Sequence, residues 1–249
     1  MNRYNYIEKG EGQVIILLHG LMGGLSNFRD VLDFFSSKGY KVIIPELPIY
    51  NLPLKETTVT AFSDFLEEFI QYKNLNNVIL LGNSLGGHIG LIFSNNNPNL
   101  VKSLVLTGSS GLYENSMGES YPKRENYEYI KKKTEEVFFN PMVATKEIVD
   151  EVYETVNNRD KLVRTLAIAK SAIRHNMSKE LPNILTPTLL IWGENDLVTP
   201  PEVATEFKSL LPNSDLKWIK KCGHAPMMEY PNEFNTILFN WLRQKKKLI

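Results

Sequence analysis

A chain of 249 residues that is 43% hydrophobic can bury one large core, and α/β folds of about 250 residues commonly form a single domain. Its 28 Lys and Arg balance its 28 Asp and Glu, so no global field draws it to nucleic acid or to an anionic membrane. No run approaches the ~20 apolar residues of a bilayer span, Met1-Asn-Arg-Tyr-Asn-Tyr-Ile-Glu8 lacks the apolar core of a secretory signal, and the single cysteine, Cys222, excludes an internal disulfide and a zinc pattern, so a cytoplasmic protein without cofactor or metal is expected.

In chain order, an edge strand is expected near Arg3–Glu8, followed by a buried strand Gln13–Leu18 that runs into His19-Gly20-Leu-Met-Gly-Gly24. Asn27–Ser37 has helical character, Lys41–Pro45 reads as a strand, and Val59–Tyr72 as an amphipathic helix. Asn77–Leu81 is an apolar, β-branched strand that ends in Gly82-Asn-Ser-Leu-Gly86, and a tightly packed helix, Leu85–Phe93, follows. After the strand Ser103–Thr107, residues 112–181 show no strand-like run, only helical spacing, and at ~70 residues they exceed an ordinary connection. This span is read as a helical cap inserted into a core of residues 1–111 and 182–249. The strand Thr188–Trp192 then enters the turn Gly193-Glu-Asn-Asp196, with Pro200-Pro201 opening a helix to Leu210. A last strand, Asp215–Ile219, leads through Lys221-Cys-Gly-His224 to a C-terminal helix over Glu233–Gln244, and Lys245-Lys-Lys247 reads as its solvated, cationic end. Strands alternating with helices at this spacing specify a mostly parallel sheet covered on both faces.

The chemistry starts at Ser84. In G-x-S-x-G, between strand and helix, glycines two before and two after the serine let the backbone pass through a sharp turn that lifts the hydroxyl clear of the sheet. A serine hydroxyl needs a base, and only four histidines are available. His19 ends a strand, His88 lies within the helix after Ser84, and His175 sits in a basic helical stretch, whereas His224 occupies a loop after a strand at the carboxyl edge of the sheet. For the carboxylate that orients the base, Asp196 is preferred and Glu194 is the competitor on the same turn. Cys222 is not expected to act as nucleophile, because it stands on the histidine's own loop. Gly20-Leu-Met-Gly-Gly24 lacks the Lys-Ser/Thr ending and the glycine order of a phosphate-binding loop, which argues against nucleotide binding.

The motifs His19-Gly20, Gly82-Asn-Ser-Leu-Gly86, Gly193-Glu-Asn-Asp196 and Gly223-His224, in that order over nearly the whole chain, resemble the α/β-hydrolase superfamily. The wording Gly-Asn-Ser-Leu-Gly-Gly and Lys-Cys-Gly-His is similar to the branch that holds carbon-carbon hydrolases of meta-cleavage products and small esterases. The resemblance implies an α/β-hydrolase fold, a Ser84-His224-Asp196 triad, and an oxyanion hole made by the backbone N–H groups of Leu21 and Leu85. Met22, Asn83 and Ala225, beside these residues, are the candidate pocket residues. Two departures stand out. The loop Pro45-Glu-Leu-Pro-Ile-Tyr-Asn51 lacks the glycines of the family's Asp-x-Pro-Gly-x-Gly segment, and the short N-terminus leaves room for about seven main strands rather than eight.

A serine hydrolase of small carboxylic esters is the leading expectation, with carbon-carbon hydrolysis of meta-cleavage-type products as the alternative and a catalytically silent binding scaffold as the alternative of another class. The carbon-carbon enzymes resemble one another in a lid arginine, and this chain has Val152 or Tyr153 where it would fall, with Arg124, Arg159, Arg164 and Arg174 on other parts of the cap.

Overall fold

A computed structural model describes residues 4–114 and 123–246. Arg3 and Lys247, at the ends of two expected segments, and residues 115–122 of the expected cap lie outside the described residues.

The described residues form a seven-stranded sheet whose strands, in chain order, are β1 (Tyr6–Lys9), β2 (Gln13–Leu18), β3 (Tyr40–Pro45), β4 (Val78–Asn83), β5 (Val101–Thr107), β6 (Thr188–Gly193) and β7 (Ser214–Ile219). In space they run β1-β3-β2-β4-β5-β6-β7, and only β1 is antiparallel, paired along β3 from Tyr6 opposite Pro45 to Lys9 opposite Val42.

The strands are apolar on both faces because both faces are covered. Ile16 and Leu18 of β2 point into one layer of core and Ile15 and Leu17 into the other, as the two-residue period of a strand requires. The first layer is closed by α2 (Val59–Tyr72), α3 (Leu85–Asn96) and α7 (Pro201–Leu210), which contribute Phe62, Leu66, Ile89 and Phe207. The second is closed by α1 (Arg29–Ser36) and α9 (Pro231–Lys246), through Phe35, Phe234, Leu238 and Trp241. The expected helix at Asn27–Ser37 divides into a 3₁₀ turn, Leu25–Phe28, and α1, while the helices expected at Leu85–Phe93 and Glu233–Gln244 run longer than expected.

Between β5 and β6 come α4 (Tyr127–Glu135), α5 (Lys146–Asn157) and α6 (Arg159–Arg174), with no strand among the described residues of that stretch. Ile130, Val152, Val156 and Leu162 give α4–α6 a small core of their own, and Met22 packs against it from the loop after β2. A short helix, α8 (Pro226–Glu229), which the sequence reading did not anticipate, follows β7.

The topology dictates where a ligand fits. From β2 the chain crosses to β3 on one side, and from β4 it crosses to β5 on the other, so the loops leaving β2 and β4 part at their carboxyl ends. The resulting crevice lies between Gly20–Gly23 and Ser84.

Candidate active site

Ser84 follows the last residue of β4 and precedes the first of α3, with φ 54° and ψ −120°, a backbone state that costs a non-glycine residue on the order of 1–3 kcal/mol. Its surroundings hold it there. The Ser84 N–H donates to Thr107 O at 3.1 Å, and Ser84 O accepts from the N–H groups of Gly87, His88 and Ser110 at 3.0–3.2 Å. Gly82 lies against the backbone of Gly86 and Gly87, and Gly86 against the carbonyl of Leu18, so a methyl group at either position would overlap main-chain atoms.

Asp196 and His224 are brought together by the loops after β6 and β7. The His224 Nδ1–H donates to Asp196 Oδ2 at 2.9 Å, with Oδ1 at 3.1 Å. Asp196 is 2% exposed, whereas Glu194 is exposed on the outer side of the turn, and this difference separates the two acids. The Asp196 carboxylate also accepts from Val198 N and Thr199 N at 2.9 Å and from the Thr199 hydroxyl at 2.8 Å. Thr199 is a site residue the sequence reading missed; a hydroxyl residue three places after an aspartate in a turn is the signal that could have found it. Trp192 fixes the end of this loop by donating from Nε1 to Thr199 O at 2.8 Å.

Burial pushes the His224 ring toward its neutral form, but the charge and hydrogen bond of Asp196, with smaller contributions from Glu114 and Glu229, outweigh it and hold the pKa above the ordinary imidazole value. Glu114, an acid, is a second residue near the site that the sequence reading missed. Burial raises its carboxyl pKa, against the opposing Ser110 hydroxyl bond of 2.8 Å and the charge of His224.

Ser84 and His224 line one cleft, together with the expected residues Leu21, Met22, Asn83 and Ala225. Asp196 stands behind His224 rather than in the cleft wall, and the Leu85 side chain, 2% exposed, is directed into the sheet-facing core. Leu85 is the first residue of α3, where a backbone N–H has no intrahelical acceptor; Leu21 follows directly on His19-Gly20. Asn83 does more than line the cleft: its Nδ2 donates to Thr107 O at 3.0 Å and to His224 O at 3.1 Å, tying the serine strand to the histidine loop.

The other wall comes from the stretch between β5 and β6, which contributes Lys133, Thr134, Val137, Phe138, Ile148, Glu151 and Val152. No arginine is among the described residues that line the cleft. Arg164 is engaged elsewhere, with Asp160 at 2.9 Å and with the Leu52 carbonyl. Nor do any three His, Cys, Asp or Glu side chains among the described residues stand together as metal ligands.

The glycine-poor loop after β3 is held by apolar anchors instead. Leu47 and Ile49 are buried, and Leu47 N–H donates to His19 Nε2 at 3.1 Å while His19 Nδ1–H donates to Gly20 O at 2.9 Å. His19, its pKa lowered by burial, therefore pins two loops as a neutral ring.

Residues 13–231 match the family model described as alpha/beta hydrolase fold. A solved alpha/beta hydrolase enzyme, MGS-MChE2, from the metagenome of lagoon sediments at Mar Chica, Morocco, is 54% identical with a TM-score of 0.82, over 99% of this chain and 97% of its own. A 2-hydroxy-6-oxononadienedioate/2-hydroxy-6-oxononatrienedioate hydrolase of Pseudomonas sp is 24% identical over 94% of this chain and 90% of its own. Lipase 1 of Psychrobacter immobilis is 28% identical over 92% of this chain and 77% of its own.

Proposed function

The chain belongs to the α/β-hydrolase family, and from that premise we propose that it is a serine hydrolase of small, uncharged carboxylic esters, with Ser84 as nucleophile, His224 as base and Asp196 as the acid that orients it. The observation that carries the reading is the His224 Nδ1–H bond to Asp196 at 2.9 Å, in a histidine that shares one cleft with Ser84. With Nδ1 committed to the carboxylate, Nε2 is the nitrogen left to take a proton. In this mechanism Ser84 Oγ attacks the ester carbonyl as its proton passes to His224, the tetrahedral oxyanion is met by the N–H groups of Leu21 and Leu85, and His224 returns the proton to the departing alcohol. Water then enters by the same path and releases the acid. Each oxyanion donor in such a site contributes roughly 3 kcal/mol to the transition state.

Residues 112–181 act in this reading as a cap that sets substrate size, an assignment supported by the lining residues that α4 and α5 contribute. Carbon-carbon hydrolysis is the second reading, favoured by the relatives that carry that name. Against it stand Val152 in the cleft wall, the lack of an arginine among the described lining residues, and the Glu151 carboxylate, close to Gly24 of the β2 loop. Delocalised negative charge on a dienolate needs a free cation there; Lys133, the cation in the lining, is paired with Glu136 at 2.9 Å, and the Glu151 carboxylate would repel the dienolate.

The discriminating experiment is kcat/KM on a p-nitrophenyl ester series beside a meta-fission dienoate. Short-chain esters are expected to be preferred by tenfold or more. A clear preference for the dienoate would make carbon-carbon hydrolysis the function.

A further inference from the structure

Glu229 sits at the end of α8, five residues after His224, and its half-buried carboxylate joins two separate parts of the chain. Oε1 accepts from Gly223 N–H at 2.6 Å, with the Cys222 thiol at 3.6 Å. Oε2 accepts from Phe139 N–H at 2.9 Å and from Asn140 N–H at 3.1 Å. One side of the carboxylate therefore holds the histidine loop and the other holds the segment that leaves α4. That same segment reaches back, because Val137 O accepts from the His224 N–H at 2.9 Å, and Val137 and Phe138 both line the cleft.

The contact is close enough to require glycine at position 223. A Cβ there would stand 2.6 Å from Val137 O, 2.8 Å from Phe139 N and 2.9 Å from the Phe138 Cα, all of them main-chain atoms. The thiol of Cys222 is driven far up in pKa by burial and by the charge of Glu229, which keeps it a protonated donor rather than a nucleophile.

We propose that Glu229 is a positioning residue for the reaction, a pin that locks the α4 exit segment onto the histidine loop and so fixes where the His224 ring stands in the cleft. This rests on the assignment of His224 as the base. A carboxylate suits the task better than any neutral side chain, since both oxygens accept and all its partners here donate. An amide could satisfy the donors on one side only, and its NH₂ would face N–H groups on the other. A displacement near 1 Å at a catalytic group can cost on the order of a hundredfold in rate.

The charge of Glu229 also acts on the titration of His224, together with the nearer Asp196 and with Glu114. All three raise the pKa of the ring, so removing one lowers it. Because the base must be neutral, the acid limb of kcat/KM then moves to lower pH.

The test is steady-state kinetics of E229Q and E229D on a p-nitrophenyl ester from pH 4 to 9, with S84A in parallel and folding checked by circular dichroism. For E229Q we expect kcat to fall by ten- to a hundredfold, KM to change less than threefold, and the acid limb to move down. E229D keeps the charge but cannot span both sides, so its kcat should fall while its acid limb stays. A merely structural role would lower the folded fraction and leave the limb in place. A folded E229Q with kcat within twofold of the parent and an unmoved limb overturns the proposal, as does the failure of both variants to fold. If S84A itself kept activity, the failure would instead belong to the assignment of the nucleophile.

Discussion

His224 and His88 are both buried, at 7% and 0% exposure, and both lie within a short reach of Ser84 along the chain or through the cleft. Their surroundings are opposite. His224 faces the Asp196 carboxylate, which overrides the effect of burial and keeps the ring protonatable. His88, one turn into α3, meets only another imidazole: its Nε2 stands 3.1 Å from Nδ1 of His175, and its Nδ1 has no hydrogen-bond partner among the described residues. Burial, with the charge of His175 added, pushes its pKa down to about 3. Position beside Ser84 along the chain thus does not give a ring the partner that a base needs. A ring proposed to gain and lose a proton during turnover needs a charge placed to receive it, and of these two histidines it is His224, on the loop after β7, that has one in Asp196, on the loop after β6.

The comparison breaks most sharply at Asp196. Asp196→Asn keeps the shape of the loop but removes the charge and favours the wrong tautomer of His224, so kcat should fall by about 10⁴ in a folded protein. Glu194→Gln, on the exposed side of the same turn, should leave kcat within twofold. Rates on a p-nitrophenyl ester, with circular dichroism for folding, decide it, and the reverse ranking would move the orienting acid to Glu194.

The smaller effect lies at His88. His88→Phe should change kcat by less than threefold, since the contact to Ser84 runs through the His88 backbone N–H rather than the ring. Its stability should respond to pH instead. In the unfolded chain His88 binds a proton below its ordinary pKa of 6.5, whereas in the fold it stays neutral down to about pH 3. Stability from this group is therefore complete above pH 6.5 and is lost as pH falls from 6.5 toward 3, by a few kcal/mol in all, on the order of 1.4 kcal/mol per unit. Urea unfolding of parent and variant across that range should give curves that diverge, the parent falling more steeply. Parallel curves would mean that His88 protonates freely within the fold.

What could be read from the sequence and what could not divide along the same line. The strands, their burial on both faces and the sharp turn at Ser84 were legible because each is written in neighbouring residues: a two-residue apolar period, or glycines flanking a serine. The choice of Asp196 over Glu194 gains its support from burial, which the turn sequence alone does not carry. Contacts between distant segments were out of reach. Nothing local says that the amide of Asn83 reaches the His224 carbonyl 141 residues away, or that Glu229 receives the Phe139 N–H across 90. The loop after β3 was in doubt for its missing glycines, and it is ordered through Leu47, Ile49 and a bond to His19 that only the fold creates. The short helix α8 escaped notice because a four-residue helix has no period to detect.

The central claim is that Ser84 is a nucleophile activated by a carboxylate-backed histidine. The most direct measurement is covalent labelling with a fluorophosphonate, read by intact mass and peptide mapping over a range of pH. A single adduct on Ser84 is expected, formed faster as His224 becomes neutral and abolished in Ser84→Ala. A parent protein that takes no label while folded, or a label that persists undiminished in Ser84→Ala, would contradict it.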